Sequence, residues 1–263
     1  MDYGLRGRVA LVNAASKGIG RGIAEALAAE GVGLVISARS ADLLEQTARE
    51  ISAAHRVEVV PVPADVSAAG TAERLVETAV SRFGRLDILV NNSGGPPGGT
   101  FASFDDGAWQ AAFDLLLLSV VRMVRAALPH LRASGHGRIV TVASTSVKQP
   151  LPNLLLSNSL RAGVAGLSKT LADELAADNI TVNMVLPGSI LTDRLRSFAR
   201  ERAEREGVPV DDLVRASTTG IPLGRIGEPA DMGNLVAFLC SDAAGYITGT
   251  NIPVDGGLLR GLL

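Results

Sequence analysis

Short apolar runs alternate with longer stretches in which apolar residues recur every three or four positions, from one end of the chain to the other. "RVALVN" (8–13) reads as a strand and "GIGRGIAEALAAEG" (18–31) as a helix closed by Gly31. "VGLVISA" is a second strand, and "SADLLEQTAREISAA" a helix with Ser40 placed to cap it. "VEVVPV", the helix "AAGTAERLVETAVSRFG" and the strand "LDILVN" continue the alternation. A long helix around "AWQAAFDLLLLSVVRMVRAALPHL" leads to the strand "GRIVTVAS" and to the helix 154–175, "LLLSNSLRAGVAGLSKTLADEL". The strand "ITVNMVLP", a helical segment at 229–241 and a last strand near "NIPVD" complete the pattern. Strand and helix repeated in this way build a parallel sheet covered on both faces, and right-handed crossovers wind it into an α/β doubly wound Rossmann fold.

No linker interrupts the pattern, so residues 1–263 are expected to form a single domain. The one irregular insertion, 193–220, is charged and helix-prone; it reads either as a solvated surface helix pair or as a lid over a site. Hydrophobic residues make up 47% of the chain and aromatics only 3%, which points to an aliphatic core. Charge is nearly balanced, 25 basic against 27 acidic residues, which argues against bulk binding to nucleic acid or to a membrane surface. The N-terminus lacks a basic-then-apolar signal layout, and the apolar runs are too short and too broken by arginine to span a bilayer. A cytoplasmic protein with a small-molecule substrate is expected. The single Cys240 reads as a buried helical thiol, and His55, His130 and His136 lie far apart, so no metal site is expected.

Ligands in such sheets bind beyond the carboxyl ends of the strands. The first such turn is "NAASKGIG", where Gly18 and Gly20 let backbone approach a pyrophosphate at a helix N-terminus. About 20 residues on, where an acid would hold a ribose 2′-hydroxyl, the chain carries Arg39, and Lys17 lies in the phosphate turn. Two cations where a 2′-phosphate would sit favour NADP(H) over NAD(H).

In order along the chain come "AASKGIG", "ADVS", "LDILVNNSG", "GRIVTVAS", "AGLSKTLADELA", "ITVNMVLPGSILTD", "IPLGRIGEPADMG" and "YITGTNIPVDGG". With these pieces the chain resembles the short-chain dehydrogenase/reductases over nearly its whole length. The resemblance implies cofactor contacts along Asn13, Ala15, Ser16, Lys17, Gly18, Ile19 and Gly20, then at Arg39, Asp65 and Val66, with Asp65 at the adenine. It places Asn91, Ser93 and Gly94 beside the central strand and the adenosine ribose, and Pro187, Gly188, Ile190 and Thr192 at the nicotinamide carboxamide. It makes 193–220 the substrate lid and implies a homotetramer or homodimer built through the last long helices. The glycine turn departs from the family pattern: Ala14 stands at the first glycine and Asn13 at the threonine before it.

The family's chemistry uses Ser, Tyr, Lys and Asn. By resemblance the serine is Ser144, while the tyrosine position is Ser157, the lysine position Arg161 and the asparagine position Leu116. An alkyl alcohol is a far weaker acid than a phenol; the Arg161 guanidinium stays charged, so it is expected to keep the electrostatic and cofactor-ribose-binding part of the lysine's role but cannot relay protons. Loss of a positioned acid costs roughly 10²–10⁴ in rate, whereas holding donor and acceptor together supplies effective molarities of about 10⁵–10⁸ M. The magnitudes therefore do not exclude hydride transfer; they exclude assuming the usual proton route. Lys148 in "STSVKQP" is the candidate substitute acid, with Ser144, Ser146 and Asn158 as hydrogen-bond donors. "LSNSLR" also resembles a divergent branch similar to β-ketoacyl-carrier-protein (3-oxoacyl-carrier-protein) reductases. Three readings stay open: an atypical NADP(H)-dependent oxidoreductase on a carbonyl or alcohol, a non-redox lyase, dehydratase or isomerase, and an NADP(H)-binding pseudoenzyme with a regulatory role.

Overall fold

Seven parallel strands form one sheet in the computed structural model, which describes residues 2–216 and 218–262. The strands are β1 (Val9–Val12), β2 (Gly33–Ala38), β3 (Val59–Pro63), β4 (Ile88–Asn91), β5 (Arg138–Val142), β6 (Thr181–Pro187) and β7 (Asn251–Val254). Their order across the sheet is β3-β2-β1-β4-β5-β6-β7, so the direction of winding reverses between β1 and β4. Doubly wound sheets open a crevice at that point, beyond the strand carboxyl ends. The α/β doubly wound expectation is met.

The five inner strands β2, β1, β4, β5 and β6 are buried on both faces, which explains why they read as unbroken apolar runs, while the edge strands β3 and β7 are only half-buried. β1 turns Ala10 and Val12 into one core layer and Leu11 into the other. The first layer is closed by α1 (Gly18–Ala29), α2 (Ala41–His55) and α9 (Pro229–Cys240), through Ile23, Leu27, Leu44 and Val236. The second is closed by α3 (Thr71–Phe83), α5 (Ser119–Ser134) and α6 (Leu155–Glu174), through Leu75, Met123, Leu131 and Val164. Cys240 is fully buried in the first layer, and burial pushes its thiol up to about 12. Below the sheet, fully buried Asp87 accepts the Val9 N–H at 2.9 Å and a two-pronged contact from Arg85 at 2.5 and 2.8 Å. This cluster joins the starts of β1 and β4 and was not singled out from the sequence.

Several local expectations change. Ser40 stands at the N-cap of α2, but its hydroxyl accepts no N–H from the first turn. The long helix expected at 108–131 is α4 (Asp106–Phe113) and α5, joined by one wide π turn at Asp114–Leu118. The 193–220 insertion is indeed a helix pair, α7 (Asp193–Glu206) and α8 (Val210–Ala216), packed on each other; its Ser217 lies outside the described residues. Among the described residues, no helix is long and apolar enough to cross a membrane, and no group of His, Cys, Asp and Glu is placed to hold a metal ion.

Candidate active site

The turn after β1 is held from three sides. Asn13, buried, accepts a hydrogen bond from the Ser37 hydroxyl at 2.8 Å, and the Ala15 N–H donates to the Ser37 carbonyl at 2.9 Å. The Thr47 hydroxyl donates to the Ser16 carbonyl at 2.9 Å, and the Asn92 amide donates to the Ala14 carbonyl at 3.4 Å. Ala14 therefore sits at φ +51°, in the left-handed region that favours glycine. A Cβ on Gly20 would lie 2.2 Å from the Ala14 carbonyl oxygen, so only glycine lets α1 start this close to the turn. No side chain caps α1, which leaves its first-turn N–H groups facing the crevice with the positive end of the helix dipole. This arrangement fits a pyrophosphate.

Arg39 follows β2 directly and is exposed; the Ser67 hydroxyl and N–H that bond Asp65 hold its carboxyl below the usual range, and the charge of Arg39 adds a smaller push in the same direction. Lys17 does not join Arg39. Its ammonium pairs at 2.7 Å with Asp193 at the start of α7, because Thr192 packs against Gly18 and brings that helix to the turn. The pairing is surface-exposed on both sides, and it also lowers the Asp193 carboxyl. The Thr192 hydroxyl caps α7 by accepting the Leu195 N–H, and the Gly188 N–H donates to the Val254 carbonyl at 3.0 Å. Ile190 is buried, Pro187 half-buried, and Gly94 opens on free space.

At the end of β5 the Ser144 hydroxyl accepts the Ser146 N–H at 3.1 Å and so caps a single 3₁₀ turn, Thr145–Val147. Lys148 ends that turn and is exposed, while the Ser146 hydroxyl is buried with no partner. One turn apart on α6, Ser157 and Arg161 meet: the Arg161 Nε–H donates to the Ser157 Oγ at 3.2 Å. Arg161 Nη1 donates at 3.1 Å to the Val142 carbonyl, which draws the guanidinium across to the end of β5. The side chain keeps some solvent-exposed surface, yet burial pushes its pKa down to about 10, and the positive charge of Arg194 adds a smaller push in the same direction. Arg161 is thus a cation at neutral pH.

Asn158 is not a donor to this site. Its amide binds Leu151 in both directions, accepting the N–H at 3.3 Å and donating to the carbonyl at 2.9 Å, so it shapes the loop before α6. Leu116 lies buried in the π turn, and wide turns of this kind recur at functional sites. It lines, with Asn91, Thr141 and Arg161, a cavity of about 10 Å³, room for one water. The Asn91 side-chain oxygen faces no hydrogen-bond partner there, while its amide donates to Thr141 at 3.4 Å. Val66 and Ser93 line the same cavity.

Residues 13–259 match the family profile described as Enoyl-(Acyl carrier protein) reductase. The chain is 36% identical over 250 residues to a 3-oxoacyl-[acyl-carrier-protein] reductase of Staphylococcus epidermidis, covering 95% of this chain and 98% of the relative. It is 32% identical over 256 residues to the NADPH-dependent reductase BacG of Bacillus subtilis, covering 97% and 99%. A crystal structure of L-sorbose reductase from Gluconobacter frateurii, complexed with NADPH and L-sorbose, superimposes with a TM-score of 0.96 at 37% identity over the full length of both chains. A crevice at the reversal of strand order, an open helix N-terminus and a serine at the end of β5, together with these likenesses, establish that the chain belongs to the short-chain dehydrogenase/reductase family.

Proposed function

We propose that this chain is an NADP(H)-dependent oxidoreductase acting on a carbonyl or alcohol through Ser144, Ser157 and Arg161, without the phenol and ammonium of its relatives' usual chemistry. The observation that carries this reading is the forked contact of Arg161, which joins Ser157 to the end of β5 beside Ser144. The two hydroxyls orient the substrate oxygen. Arg161 stabilises the negative charge that develops on that oxygen, and it remains protonated because about 10 lies well above neutrality. Lys148, exposed at the end of the same 3₁₀ turn, is the proton source in this reading. The open first turn of α1 would hold the pyrophosphate and Arg39 the 2′-phosphate; NADP(H), when bound, supplies or accepts the hydride. The NADPH complex of L-sorbose reductase supports the cofactor assignment. In the same reading 193–220 is the lid of a single 1–263 domain, assembled as a cytoplasmic homotetramer or homodimer.

Titration with NADPH and NADH in parallel, followed by NADPH oxidation over a carbonyl panel, tests this. Preferential NADPH binding with turnover, weakened by Lys148→Ala, supports it. Tight NADPH binding without turnover turns the reading to a regulatory pseudoenzyme. Product formed without change in NADP(H) turns it to a lyase or isomerase, and no binding of either nucleotide overturns it.

A further inference from the structure

The first turn of α7 lies against the phosphate turn and is fixed from both sides. Thr192 packs on Gly18, where a Cβ would stand 3.2 Å from the Thr192 Cγ2, and the Thr192 hydroxyl caps the helix. On the other side Arg194 donates to the carbonyls of Gly95 at 3.3 Å and Pro96 at 2.9 Å, in the loop after β4. Asp193 stands between these two in sequence and is carried to the Lys17 ammonium at 2.7 Å, across 176 residues of chain.

Lys17 also flanks the place where a 2′-phosphate is expected. The Ala15 N–H donates to the Ser37 carbonyl at 2.9 Å, which sets the residues after β1 beside those after β2. Lys17 follows Ala15 by two residues and Arg39 follows Ser37 by two. Arg39 forms no ion pair among the described residues, and its charge reaches Asp65 without a direct bond, whereas Lys17 already holds a carboxylate. Both side chains of that pair are exposed, at 60% and 69%, so water and salt screen their attraction. A phosphate monoester carries about −1.5 to −2 charge at pH 7 and three strong acceptor oxygens. It draws an ammonium away from a screened carboxylate. A ribose 2′-hydroxyl in the same place is uncharged and leaves the pair intact.

We propose that Asp193 sets the cofactor preference of this site. Its carboxylate occupies Lys17 and has to be displaced before Lys17 can join Arg39 on a 2′-phosphate. Asp193 therefore lowers affinity for NADP(H) and not for NAD(H), and it narrows the preference that two free cations would give. It is a specificity residue that acts through Lys17. The inference rests on the cofactor assignment of the oxidoreductase reading.

The test is fluorescence titration with NADPH and with NADH, at one fixed salt concentration, of the parent, Asp193→Asn, Asp193→Glu, Lys17→Gln and the Lys17→Gln, Asp193→Asn double variant. Both side chains are exposed, so each variant should melt close to the parent. Asp193→Asn should tighten NADPH binding about two- to fivefold, the yield of freeing one exposed pair, and leave NADH binding unchanged. Asp193→Glu keeps the carboxylate and should bind both nucleotides as the parent does. In the Lys17→Gln background, Asp193→Asn should change nothing. The proposal is overturned if Asp193→Asn leaves NADPH binding as it was or weakens it, if it tightens NADPH and NADH alike, or if its effect persists with Lys17→Gln. Failure of the cofactor assignment is distinct: neither nucleotide then binds the parent or any variant, which overturns both readings.

Discussion

Replacing Ala14 by glycine should stabilise this protein although it removes a methyl group. Ala14 is held at φ +51° because its neighbours cannot move: the Asn13 N–H donates to the Val90 carbonyl at 3.2 Å and the Ala15 N–H to Ser37 at 2.9 Å. An L-residue with a side chain in the left-handed region costs about 1–2 kcal/mol. Glycine removes that cost but loses about 0.5–1 kcal/mol more backbone entropy on folding. The expected net gain is about 0.5–1 kcal/mol, or a rise of roughly 1–4 °C in Tm for a chain of this size. Thermal unfolding of Ala14→Gly against the parent, at fixed protein concentration without nucleotide, reads the difference directly. Ala14→Val is the opposing control: a β-branched residue is poorly tolerated at positive φ, and its Tm should fall. A lower Tm for Ala14→Gly would refute the strain argument and mean that the methyl group packs usefully in the turn.

Arg161→Gln should lower kcat/KM by about 10²–10³, as for loss of a charge-stabilising donor, with little loss of Tm because the cation it removes has no acidic partner among the described residues. Asp87→Ala should cost about 2–4 kcal/mol in urea unfolding, since it leaves the Val9 N–H and two arginines without their buried acceptor. Asp231 accepts a two-pronged contact from Arg225 at 2.7 and 2.9 Å and the Glu228 N–H at 2.8 Å, which hold its carboxyl down to about 2. A carboxyl lowered on folding adds stability above its ordinary value of 3.8 and loses it as pH falls toward about 2. The Tm gap between the parent and Asp231→Asn should therefore be full near pH 5 and close as pH approaches 2; a gap independent of pH would refute the assignment.

The periodicity of the chain determined the sheet by itself, because the inner strands are buried on both faces and the covering helices on one, so each carries a pattern set by its own neighbours in sequence. The same locality made Ser157 and Arg161 legible as a pair, four residues apart on one helix. Contacts between distant segments were not legible. Lys17 belongs with Asp193, 176 residues away, rather than with Arg39, because packing of Thr192 on the phosphate turn decides which charge comes within reach. Asn158 looks like a site residue on α6 until the loop before that helix folds back and takes its amide. The π turn at Asp114–Leu118 has no sequence period of its own, and the buried Asp87 reads as one more acid beside a strand. Helical and strand periods are read from a dozen residues at a time. The partner of a charged side chain is fixed by where the whole chain comes to rest, and only the tertiary structure drew the Arg161 guanidinium across to the Val142 carbonyl at the end of β5.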